Sequence, residues 1–235
     1  MRAVIAVQAR LSSTRLPKKI LSDVNGKPML AQIVRRCKAT RLPVTVSCPP
    51  DDALEIAKAL PGVDVVAGPE KDILFRMLLV AAHAKATHVV RVTGDCPLIP
   101  HDLIQAAVEG MSNYPCVQNW RPRTFPDGFD FEVWDVAFLV ALKAKLKPED
   151  SEYFAQYCLD KKMPNLPLTY AGKNMVHLRL TVDYAEDLDV IREIYQAQGE
   201  DIWESGRVVE WCNDHPATMA LNASKVDGKF GAKPK

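Results

Sequence analysis

The segment Gln8 to Lys19 gathers Arg10, Arg15, Lys18 and Lys19 among the hydroxyls of Ser12, Ser13 and Thr14. Guanidinium forks, ammonium groups and exposed backbone N–H groups are what a polyphosphate requires of its binding site. A solvated basic loop would carry the same charges. The spacing matches neither G-x-x-x-x-G-K-[ST] nor G-x-G-x-x-G, so the two common glycine-rich phosphate loops are excluded.

Two aspartates end apolar runs farther along the chain. Asp95 follows Val92-Thr93-Gly94 and precedes Cys96-Pro97, while Asp183 follows Leu180-Thr181-Val182. Each has a purely structural alternative: an Asx turn before the proline for Asp95, and a helix-capping box with Glu186 for Asp183. A carboxylate has two oxygens, so capping and metal binding are compatible. A cationic loop with two separated acids suits magnesium-assisted phosphoryl chemistry, because Mg²⁺ takes oxygen ligands, one or two of them carboxylates, and completes its shell with water and phosphates. His83, His88, His101, His177 and His215 form no zinc pattern with the cysteines.

These residues need a scaffold that brings distant segments to one edge. Apolar runs at Ala3 to Val7, Pro43 to Cys48, Val63 to Val66 and His88 to Val92 read as strands. Helical patterns follow them: a helix opening near Pro28, then Asp51 to Leu60, Lys71 to Ala86 and Asp102 to Met111. This alternation predicts an α/β fold with a doubly wound, mostly parallel sheet covered on both faces. Ligands of such sheets bind beyond the carboxyl ends of the strands, where the loop and both acids fall. From about 119 to 175 the rhythm changes, with a Pro-, Arg- and aromatic-rich loop, a strand near Phe131 to Trp134, and helices near Val136 to Leu146 and Ser151 to Lys161. This stretch reads as an inserted α+β lobe of a domain spanning 1–222. A strand at His177 to Val182 and a helix at Ala185 to Gln198 resume the pattern, and 223–235 reads as a mobile tail.

With 235 residues, 48% of them hydrophobic, the chain can bury a substantial core. A net charge of +1 offers no overall field for nucleic acid or an anionic membrane. Six scattered cysteines without a C-x-x-C pair fit a reducing compartment. No signal-peptide core or run of about twenty apolar residues is present, so a cytoplasmic location is expected.

The motifs QARLSSTRLPKKIL, VTGDCPL, RTFPDGFDFEVW and LTVDYAEDL resemble, in order and spacing, the cytidylyltransferases of the spore coat polysaccharide biosynthesis type, relatives of the CMP-Kdo and CMP-sialic acid synthetases. The resemblance implies a nucleotidyltransferase fold, usually dimeric, that moves CMP from CTP to an acidic sugar and releases pyrophosphate. By motif position, Arg10, Ser13, Arg15 and Lys19 would hold the triphosphate, with Gln8, Ala9, Thr14, Thr93 and Gly94 beside the nucleotide. Arg15, Lys19 and Asp95 would carry catalysis, and Asp95 and Asp183 would bind Mg²⁺. Arg123, Asp127 and Glu132 would face the acceptor sugar; a strand-edge charge accounts for Glu132 equally simply, whereas a Pro-Asp-Gly turn accounts for Asp127 less well than the sugar does.

The family usually has glycine where this chain has Ser12 and Lys18, and an acid–His pair at Glu152-Tyr153. Lys18 is placed to add a phosphate contact. Two alternatives stand beside CMP transfer: a sugar-1-phosphate nucleotidyltransferase using another nucleotide, and a catalytically silent nucleotide-binding partner subunit.

Overall fold

A computed structural model describes residues 1–111, 114–170 and 175–225. The chain opens with β1 (Ala3–Gln8), the short strands β2 (Asp23–Val24) and β3 (Lys27–Pro28), and α1 (Met29–Lys38). There follow β4 (Val44–Cys48), α2 (Ala53–Ala59), β5 (Asp64–Ala67), α3 (Ile73–His83), β6 (His88–Thr93) and α4 (His101–Gly110). The second half supplies β7 (Cys116–Gln118), β8 (Phe131–Asp135), α5 (Val136–Lys143), α6 (Phe154–Asp160), β9 (Leu166–Pro167), α7 (Ala185–Gln198), α8 (Ser205–Asp214) and α9 (Pro216–Met219).

Seven strands form one sheet in the order β5-β4-β1-β6-β8-β7-β9. The first four are parallel, β8 is antiparallel to both β6 and β7, and β9 is parallel to β7. The mostly parallel, doubly wound sheet expected from the alternating pattern is therefore present. β1 shows why both faces are covered: its side chains alternate, and every residue from Val4 to Val7 is fully buried. Val4 and Ala6 pack with Leu74 of α3, Leu139 of α5 and Phe154 of α6. Ile5 and Val7 face the opposite layer with Ile33 of α1, Ile104 of α4 and Ile191 of α7. At about 1.5–3 kcal/mol for each fully buried Val or Ile, this central strand is a strong anchor for the loop that leaves it. Gln8 stands beside Ser47 and Thr93 in the register, so three parallel strands end at one level.

Within the stretch expected as an insert at 119–175, β8 and β9 join the main sheet beyond β6, with β7 (just before that stretch) between them. One expectation changes. Residues 177–182 form no ladder strand, and only Arg179 bridges, to Asp127. The reason lies in how this segment spends its backbone groups. The Leu178 carbonyl accepts from the Asp127 N–H (3.1 Å), the Leu180 N–H donates to the Asp127 carbonyl (2.6 Å), and the Val182 N–H donates to the Asp95 carbonyl (2.8 Å). It ties two loops together instead of lying along a neighbour. Gly128 permits the approach, since a Cβ there would lie 2.4 Å from the Leu180 carbonyl carbon; its φ of 103° also favours glycine.

All six cysteines are free and buried. Of the tail expected at 223–235, Ala223–Lys225 form a 3-10 turn, and 226–235 lie outside the described residues.

Candidate active site

The loop after β1 is pinned at its start. The Ala9 N–H donates to the Ser47 carbonyl at 2.9 Å, and the Leu11 N–H donates to Asp52 Oδ2 at 2.8 Å. The loop then turns over a cavity of about 610 Å³, bordered by Arg10, Ser13, Thr14, Arg15 and Lys19. Such a volume suits a substrate-sized ligand. Gln8, Ala9, Thr93 and Gly94 border it too. Gly94 brings β6 against β1: its N–H reaches the Gln8 carbonyl at 2.8 Å, and a Cβ would lie 2.8 Å from that same oxygen.

The two side chains at positions where the family usually has glycine turn to acids outside the β1 loop. Lys18 adopts a left-handed conformation, φ 52° and ψ 29°, which glycine accepts without strain. Its ammonium lies 2.7 Å from Glu55, so the phosphate contact expected of it is replaced by this pairing. The Ser12 hydroxyl donates to Glu70 Oε1 at 3.2 Å.

The two acids meet. Asp183 enters because Val182 and the Thr181 hydroxyl (3.1 Å) both bond the Asp95 carbonyl. Lys19 Nζ then lies 3.3 Å from Asp95 Oδ2 and 2.9 Å from Asp183 Oδ1, and donates to the Val182 carbonyl at 2.7 Å. Arg15 Nη2 is 2.6 Å from the same Asp183 oxygen, with its guanidinium 5.3 Å from the Tyr184 ring. Burial works against the Lys19 ammonium, but Asp95 and Asp183 overcome it and hold its pKa above the ordinary lysine value. Burial also opposes the Asp95 carboxylate, and Lys19 with the Thr93 hydroxyl outweighs it, keeping Asp95 below the usual carboxylate range.

The cap of α7 differs from the expected Asp183–Glu186 box. Asp187 accepts both the Asp183 N–H (2.9 Å) and the Tyr184 N–H (3.0 Å) on Oδ2, which frees the Asp183 carboxylate for the cavity. Asp187 is fully buried and receives Arg179 side-on at 2.8 and 3.0 Å. Arg179 also reaches Asp127 (3.1 Å) and Asp183 (3.2 Å). Neither Arg179 nor Asp187 was expected from the sequence, although an arginine inside the apolar run Leu178 to Val182 was a visible signal.

The three residues expected at the sugar are placed differently. Asp127 keeps 30% of its side chain exposed, between Arg179 and Arg123, the latter at 3.6 Å. Arg123 instead grips Asp130 through two bonds of 2.9 and 2.8 Å. Glu132 is buried; it pairs with Arg91 Nη1 at 2.9 Å and accepts from Trp134 Nε1 at 2.9 Å. The direct sugar contact expected of Glu132 gives way to support of Arg91. Arg76, Arg91 and Tyr153 border the cavity as well and had no place in the sequence reading as ligands.

The donor set fits magnesium. Among the described residues no group of three or more His, Cys, Asp or Glu gathers as a metal cage, whereas Asp95 and Asp183 both contact the Lys19 ammonium, and one or two carboxylates is the number Mg²⁺ takes when phosphates and water complete its shell.

A model of the cytidylyltransferase family matches residues 3–221. A 3-deoxy-manno-octulosonate cytidylyltransferase of Chloroherpeton thalassium is 38% identical over 112 residues, covering 46% of this chain and 45% of that protein. The chain thus spans about half the length of the octulosonate enzymes it matches. The spore coat polysaccharide biosynthesis protein SpsF of Bacillus subtilis is 27% identical over 215 residues, 83% of this chain and 86% of that protein. Among solved structures, a cytidylyltransferase from Leptospira borgpetersenii superposes with a TM-score of 0.86 at 26% identity, covering 93% of this chain and 97% of that one. With the family model running from β1 through α9, and with the β1 loop, Asp95 and Asp183 gathered at one cavity, the chain belongs to the cytidylyltransferase family.

Proposed function

We propose that this chain transfers CMP from CTP to an acidic sugar of the nonulosonic or octulosonic type, with release of pyrophosphate. The observation that carries the reading is the convergence of Asp95 and Asp183, remote in sequence, on the single ammonium of Lys19. Asp95 and Asp183 would hold Mg²⁺, which would supply charge neutralisation at the reacting phosphate oxygens. The relatives named above, an octulosonate cytidylyltransferase and a spore coat polysaccharide protein, support CTP and a sugar as the substrates.

The chain's own residues divide the work by charge. Arg10, Ser13 and Thr14 cradle the triphosphate beside Gln8, Ala9, Thr93 and Gly94, while Arg15 and Lys19 stabilise the leaving pyrophosphate. A sugar hydroxyl attacks the α-phosphorus in line: its oxygen–phosphorus bond forms as the bond to the pyrophosphate oxygen breaks, and the hydroxyl proton is released to solvent. Positioning supplies much of the acceleration, because loose phosphoryl-type transition states leave little covalent work for a protein. Asp127, exposed in part and braced by Arg179, accepts a hydrogen bond from the sugar, and Arg123 braces this face through Asp130. The reading expects a cytoplasmic homodimer; among the described residues no helix is long and apolar enough to cross a membrane.

One assay tests this. The chain is incubated with Mg²⁺, a panel of nonulosonic and octulosonic acids, and CTP, UTP or GTP in turn, and pyrophosphate is measured. CTP-selective release dependent on an acidic sugar is the expected result. Turnover of UTP or GTP with a sugar 1-phosphate would move the chain to the alternative nucleotidyltransferase reading. CTP binding without turnover across the panel would make it a silent partner subunit.

A further inference from the structure

A second part of the cavity wall, built from α3 and β6, carries positive charge that the β1 loop does not explain. Arg76 is only 3% exposed. Its Nη1 donates to the Pro69 carbonyl (2.7 Å) and to the Glu70 carbonyl, and its Nη2 donates to Gln8 Oε1 at 3.0 Å. All three acceptors are neutral. The carboxylate of Glu70 accepts from Ser12 instead. Arg91 projects from β6 with Nη1 on Glu132 and its guanidinium 5.9 Å from the Phe154 ring.

Three buried N–H groups of this wall lack a partner: Nε of Arg76, Nε of Arg91 and Nε2 of Gln8. All three residues border the one cavity. Arg36 shows the contrasting, purely structural arrangement. It is fully buried, yet Nε, Nη1 and Nη2 each have an acceptor, on Ile99, Gln198 and Trp203. Burial pulls the Arg76 guanidinium below the ordinary arginine value; Arg10 and Arg91 add to this, while Cys48 and Glu70 oppose it.

A buried guanidinium without a counter-charge is costly, and so is a buried donor without an acceptor. A neutral pyrimidine would leave the charge uncompensated, and the triphosphate already has Arg10, Arg15 and Lys19. A carboxylate brings one negative charge and two oxygens able to accept several N–H groups. We propose that Arg76 and Arg91, with Gln8, form the subsite that takes the carboxylate of the acceptor sugar, and that Glu132 is the positioning residue that sets the Arg91 fork. The proposal deepens the reading above and rests on it.

The test compares an acidic sugar that wild type accepts with its methyl ester, and measures KM for each and for CTP. Wild type prefers the acid, whereas Arg91→Gln raises KM for the acid at least about tenfold, erases the preference, and leaves KM for CTP within about twofold. Glu132→Gln gives the same pattern more weakly with kcat retained, and Arg91→Lys restores part of the preference. Thermal melts confirm folding, and Arg91→Lys replaces Arg91→Gln where the latter does not fold. An unchanged acid preference in folded Arg91 variants would overturn the subsite while leaving CMP transfer intact. A rise confined to KM for CTP would do the same and assign the wall to the nucleotide. Absence of pyrophosphate with any acidic sugar in wild type would overturn the reaction itself.

Discussion

Asp183 donates its backbone N–H to Oδ2 of Asp187 at 2.9 Å, and this contact separates structure from chemistry at the start of α7. Because Asp187 satisfies the free N–H groups of the helix end, the Asp183 carboxylate is released toward Lys19, Arg15 and Arg179. The buried Arg179–Asp187 pair in turn holds the segment that carries Asp183 against Asp95. One capping position four residues away thus fixes the distance between two acids that arise from remote parts of the chain.

Asp95→Asn should leave the fold intact and lower kcat for pyrophosphate release by about a thousandfold or more, the scale expected when a preorganised charge at the reacting phosphate is lost. Circular dichroism and a thermal melt check folding. A variant within about tenfold of wild type would remove Asp95 from the catalytic set.

Asp187→Ala leaves the Arg179 guanidinium buried without its bidentate partner. Breaking such a pair costs about 3–5 kcal/mol, and for a chain of this size each kcal/mol shifts Tm by about 2–4 °C. A fall in Tm of roughly 10 °C is expected, together with weaker turnover because Asp183 loses its anchor. An unchanged melt would show that the pair does not hold this edge.

Lys18→Gly tests whether the lysine matters to nucleotide binding. The left-handed backbone costs a non-glycine residue about 1–2 kcal/mol, and the exposed pairing with Glu55 returns little. Stability should therefore stay within about 1 kcal/mol of wild type, with KM for CTP unchanged. Lys18→Val, β-branched at the same φ, should lose stability. A large rise in KM for CTP in the glycine variant would return Lys18 to the phosphates.

Asp130 gives the stability a pH dependence. Burial lifts its carboxyl to about 6, even with the Arg123 fork opposing, whereas in an unfolded chain an aspartate titrates near about 3.9. Between these values the folded protein binds the extra proton, so the contribution of Asp130 to stability falls as pH rises toward about 6 and is level above it. Asp130→Asn lacks this slope. Urea melts at about pH 7, 6 and 5 should show wild type gaining relative to the variant as pH falls; a gap independent of pH would contradict the shift.

Much of this molecule could be read along the chain because it depends on near neighbours. The period of apolar residues marked α7 at Ala185–Gln198, since one buried face per turn is a local property. The cluster from Arg10 to Lys19 was legible as a density of charge directly after a buried strand, although a solvated basic loop would show the same charges. Pairing across the fold was a different matter. Residues 177–182 have the composition of a strand, but their hydrogen-bond partners are the loops at Asp127 and Asp95, which composition does not reveal. Glu132 looks in sequence like an exposed carboxylate, and its partner Arg91 lies 41 residues earlier, on the adjacent strand. Arg76 and Arg91 are single cations inside apolar runs, and only their shared cavity gives them a common role.

The sequence by itself determined the layered α/β architecture, the cationic loop after β1 and the two strand-end aspartates, because periodicity, charge density and turn chemistry are written over a few residues at a time. The tertiary structure alone decided that Asp95 and Asp183 share Lys19, that Asp187 caps α7, and that Arg76 and Arg91 face one cavity. Those facts depend on burial and register, which arise only when segments far apart in the chain exclude water together.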